Sequence, residues 1–130
     1  MSQAVTMLTL AAAALELGLC GYYWQGAFAE ARPWLPYPLQ EQMSARFALD
    51  RYIFKPAMPQ AARRRYMLSH VFGCIGLVCL TILAYANGPL LGALAFAAVS
   101  LAAFGQTFAE WRKYRRLPAQ ANVSPPVSAP

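Results

Sequence analysis

The sequence predicts an all-α membrane protein. A transmembrane helical hairpin, residues 67–86 and 89–109, is joined by an apolar N-terminal helix at about residues 4–28 that either spans or lies in the interface. Three observations predict it. Residues 66–109 run for 44 positions without a Lys, Arg, Asp or Glu. Asn87-Gly88-Pro89 breaks that run at its middle and leaves on each side the ~20 apolar residues a helix needs to cross ~30 Å of hydrocarbon. Basic residues cluster at both outer ends of the run and are absent from the turn.

Composition sets the frame. The chain has 130 residues, one domain's worth. Hydrophobic residues make up 58% and charged residues 12%, about half the ~25% of a soluble domain. The net charge is +6. Because seven of the eleven Lys and Arg flank apolar spans, anionic lipid headgroups account for that charge and nucleic acid does not. Cys20, Cys74 and Cys79 form no CxxC pair and have no histidine at metal-ligand spacing, so neither a disulfide framework nor a metal site is implied.

Residues 1–30 form the first segment. They carry no Lys or Arg, unlike a secretory signal or a mitochondrial presequence. Within them, residues 4–28 carry one charge, Glu16, midway along. A central acidic group costs ~2.5–3.5 kcal/mol on an insertion scale, against ~0.5 returned by each Leu, so insertion alone is balanced. Thr6, Thr9, Ala13, Glu16 and Cys20 step by three or four and share one helix face. That face predicts a neighbouring membrane helix, or water if the segment lies flat.

Residues 31–62 are a proline-rich connector. Pro33, Pro36, Pro38, Pro56 and Pro59 bracket one short helix over residues 39–54, in which Arg46 and Asp50 can pair. Residues 32–39 are expected to be extended, as a stiff linker or as a strap on another protein.

Residues 63–117 hold the hairpin. Asn87 and Gly88 suit a left-handed helix end and Pro89 a first turn. Arg63, Arg64 and Arg65 precede the first span; Trp111, Arg112, Lys113, Arg115 and Arg116 follow the second. The positive-inside rule places both ends on the cytoplasmic or matrix side of an inner membrane, where these residues and Tyr66 and Tyr114 meet headgroups. Ser69, Gly73 and Gly76 on the first span, and Gly88, Gly92 and Ala95 on the second, are the small residues expected to let helices approach. They serve packing within the hairpin or a homo-oligomer face. Residues 118–130 are rich in Pro, Ala and Ser and predict no fold of their own.

The chemistry available is thin. Glu16 is the leading functional candidate, for partner contact or ion coupling, because a carboxyl at membrane depth is expensive. His70 is the single histidine, so a haem ligated by two histidines would have to be shared with another chain. Ser69, Ser100 and Thr107 lack a base, the Gly73–Gly76 spacing sits inside an apolar helix, and no carboxylate pair exists. No cofactor, metal or catalysis is expected. These features predict a non-catalytic accessory subunit of a larger inner-membrane, energy-transducing (respiratory) complex, packed against other subunits and anionic lipids. The other reading is a small homo-oligomeric proton- or cation-coupled transporter or channel using Glu16.

Overall fold

The computed structural model describes residues 2–40, 45–88 and 90–117. All regular structure among them is helical: α1 (Gln3–Ala31), a 3₁₀ turn (Arg32–Trp34), α2 (Tyr37–Gln40), α3 (Ala45–Tyr52), α4 (Gln60–Asn87) and α5 (Leu90–Arg116). Three of them, α1, α4 and α5, are long and apolar enough to cross a membrane. The expected hairpin is α4 and α5, and the N-terminal segment is a third helix of spanning length. Pro89, residues 41–44 and residues 118–130, which include the expected tail, lie outside the described residues, as do the side chains of Arg46 and Phe47.

The central helix is α4, with α1 and α5 both antiparallel to it and scarcely touching each other. Small residues explain the α1 seam. A Cβ on Gly73 would stand 3.2 Å from Cys20 Sγ, and one on Gly76 would stand 3.0 Å from Leu17 Cγ and Cδ2. Ala13 is buried, and Tyr23 stacks on Phe72 at 5.3 Å. The α5 seam is polar at two levels. Thr81 Oγ1 donates to the Leu77 carbonyl at 2.8 Å, so the 3.0 Å contact with Ser100 must be donated by Ser100. Cys74 Sγ meets Thr107 Oγ1 at 3.2 Å. This pairing brings the start of α4 and the end of α5 to one basic end of the bundle.

Two expectations about the chain's breaks need correction. No described non-glycine or glycine residue has a positive φ. Gly88 is extended (φ −115°, ψ 175°) and donates its N–H to the Ala84 carbonyl at 2.8 Å. Glycine belongs there because a Cβ would press to 2.9 Å on that carbonyl oxygen. Residues 32–39 are likewise not extended throughout: Arg32–Trp34 coils tightly after α1, and α2 follows. Of the short helix expected over residues 39–54, Tyr37–Gln40 and Ala45–Tyr52 are described as helical, and residues 41–44 lie outside the described residues.

Nor is the connector a strap without a core. Leu35, Leu49, Ile53 and Met58 of the connector join Ala27 and Ala31 of α1, and Ala62, Tyr66 and Met67 of α4, in the main buried cluster. The core therefore sits at the basic end, where the connector folds back over the α1–α4 seam.

Candidate functional site

Glu16 lies midway along α1, beside Gly76 of α4, whose added Cβ would stand 3.5 Å from Glu16 Cβ. The face holding Thr6, Thr9, Ala13, Glu16 and Cys20 does turn toward α4, so the neighbouring helix is in the same chain. Thr9 spends its hydroxyl on the Val5 carbonyl at 2.9 Å. Glu16 has no such outlet: its Oε2 is cut off from solvent and has no hydrogen-bond partner.

The basic end is more tightly built than its sequence suggests. Arg63 is 2% exposed, and its Nη2 donates to the carbonyls of Lys55 (2.8 Å) and Pro56 (3.1 Å). Its Nε has no partner. It latches the turn before α4, so the lipid-anchor role expected of it is corrected to a structural one: a guanidinium committed to two carbonyls is not offered to headgroups. Arg65 pairs with Glu30 at 2.9 Å, across Gly26, and stays 43% exposed. Lys113 pairs with Glu110 at 3.0 Å. Arg64, Arg112, Arg115 and Arg116 are exposed with no partner among the described residues, and Trp111 is 43% exposed.

Of the six small residues singled out for packing, Ser69, Gly73 and Gly76 line the α1 side of α4. On α5 the buried positions are instead Ala93 and Ser100, with Gly92 half-buried and Ala95 and Gly88 exposed. The α5 contact face runs Ala93, Ser100, Thr107 at sevenfold spacing, a register that a helix this rich in alanine does not announce.

A groove of about 290 Å³ opens between α1 and α5, with α4 as its floor. Ser69, His70, Gly73 and Cys74 form that floor, Cys20 and Trp24 one wall, Gln106 and Thr107 the other. Asp50 of α3 reaches it from the basic end. Around it the polar groups are ordered: Tyr66 Oη donates to Asp50 Oδ1 at 2.8 Å, and Ser69 Oγ donates to the Tyr66 carbonyl at 2.7 Å. His70 Nδ1 lies 3.1 Å from the same carbonyl, and its ring stands 4.3 Å from the Tyr66 ring. Nothing in the sequence joins Trp24, Asp50 and Gln106 in one groove, since they meet only when three helices and the connector close. Among the described residues no group of His, Cys, Asp and Glu is placed to hold a metal.

Comparison with protein-family models, with curated proteins and with solved structures gives no match. The functional reading therefore rests on the geometry.

Proposed function

We propose that the chain is a non-catalytic, three-span accessory subunit of a larger inner-membrane assembly. In this reading it joins other subunits of an energy-transducing complex, with its basic end on the cytoplasmic or matrix side. The observation that carries the proposal is the unpartnered Oε2 of Glu16 at mid-height of α1. Hydrocarbon offers a carboxyl nothing, and an unsatisfied buried polar group costs several kcal/mol, on the order of ~2–7. An adjoining subunit can reach the carboxyl's other oxygen, Oε1, which this chain does not enclose, and a polar side chain there lowers the cost of the group. Large apolar side chains on α1, such as Leu8 (73% exposed) and Leu15 (63%), flank the carboxyl and would be covered by the same partner or by lipid. At the basic end, Arg64, Arg112, Arg115 and Arg116 supply the free cations for anionic headgroups.

The same carboxyl is what a small homo-oligomeric proton- or cation-coupled transporter would use. Glu16 is not among the residues lining the groove, and its neighbour across the seam is Gly76, so this chain provides little of a polar path. Native mass measurement after mild-detergent extraction separates the two. The accessory reading expects the 14.3 kDa chain to run within a much larger assembly, and Glu16→Leu to release it while Glu16→Gln retains it. A small self-oligomer whose ion flux in liposomes disappears in Glu16→Gln would establish the transporter instead.

A further inference from the structure

The groove between α1 and α5 carries a polarity that the packing of the chain does not use. A carbonyl oxygen only accepts, so His70 Nδ1, 3.1 Å from the Tyr66 carbonyl, must hold the ring proton. In the neutral imidazole that leaves Nε2 as an acceptor. Ser69 has spent its hydroxyl proton on the same carbonyl. Asp50 adds a carboxylate at the basic end, with one oxygen already accepting from Tyr66. Of the groups lining the groove, Gln106 and the Trp24 indole bring N–H donors, and neither Lys nor Arg lines it.

Such a groove suits an occupant that can donate to His70 and Asp50 as well as accept from Gln106 and Trp24. A phosphate headgroup, all acceptors and negative, would meet acceptors and a carboxylate. The volume, about 290 Å³, lies at the ~300 Å³ lower end of small-molecule sites and admits one ring-sized headgroup. Trp24 supplies an aromatic wall, and Leu77 and Ala103 apolar surface toward the turn end.

We propose that this groove binds the hydroxyl-bearing ring of a quinol-class lipid. One ring hydroxyl donates to His70 Nε2, Gln106 meets a second ring oxygen from α5, Trp24 lies against the ring, and the tail runs into hydrocarbon. The proposal concerns binding, and it stands independently of the accessory reading, since every group it uses belongs to this chain.

His70 is the single histidine, so its two ring nitrogens report on the groove without any substitution. The full chain, labelled with ¹⁵N-histidine and placed in phosphatidylcholine nanodiscs, is titrated under anaerobic conditions with a decyl hydroquinone and with its dimethyl ether. The expected result is a saturable shift of the Nε2 resonance by the hydroquinone, with the ether at least ~10-fold weaker because it cannot donate. Gln106→Leu, a change at an exposed position of α5, should weaken the hydroquinone several-fold and leave the helical content unchanged. Equal affinities for the two ligands, a shift that only tracks bulk partitioning, or displacement of the hydroquinone by phosphatidylglycerol or phosphatidylethanolamine would each overturn the proposal.

Discussion

Arg63 shows how much one side chain can hold at the start of a helix of spanning length. Its guanidinium closes the turn over residues 53–58, and that turn carries Ile53 and Met58 into the core. Hydrogen bonds to charged groups are worth about 1.5–3 kcal/mol each when the alternative is an unpaired carbonyl. Arg63→Met should therefore destabilise the detergent-solubilised protein by about 2–4 kcal/mol, read as an earlier midpoint in SDS-titration circular dichroism. Arg64→Met, one residue on and exposed, should shift that midpoint little. The glycines divide in the same way. Gly76→Val forces a side chain into Leu17 and should cost about 1–3 kcal/mol in the same titration. Gly105→Ala, with open space around it, should be neutral or stabilise by up to about 1 kcal/mol.

At the scale of elements, α4 is the shared partner, and its two seams work differently. The α1 seam closes by backbone approach over Gly73 and Gly76, whereas the α5 seam is stitched by Thr81–Ser100 and Cys74–Thr107. Interhelical hydrogen bonds in bilayers average ~0.6 kcal/mol, so a double-mutant cycle with Thr81→Val and Ser100→Ala should return a coupling of that order. A value near zero would mean that packing alone holds α5. Helix lengths, the break at residue 87 and the small face of α4 were legible in the sequence, because apolar run length and three-to-four spacing are local properties. Which neighbour that face meets was not, since periodicity names a side and never its partner. The α5 register was hidden for a related reason: Ala93, Ala95 and Ala102 look alike until a helix lies against one of them. The connector's core was hidden because Leu49, Ile53 and Met58 find their partners only across long sequence separations.

For the whole molecule, the decisive geometry is that both arginine-bearing ends lie together. Single cysteines at Arg64 and Arg116 should label with a membrane-impermeant maleimide from one face of sealed vesicles, and a cysteine at Tyr85 (76% exposed) from the other. Labelling of positions 64 and 116 from opposite faces would dismantle both the hairpin and the orientation proposed from it. The three-layer order also has a consequence in time. Glu16 is sheltered by Gly76, which leaves the ribosome some sixty residues later. Until α4 emerges, the first helix faces an insertion cost near balance and no shelter. In a chain inserted as proposed, final seating of α1 is therefore postponed until α4, the second of the three spanning-length helices, arrives to receive it.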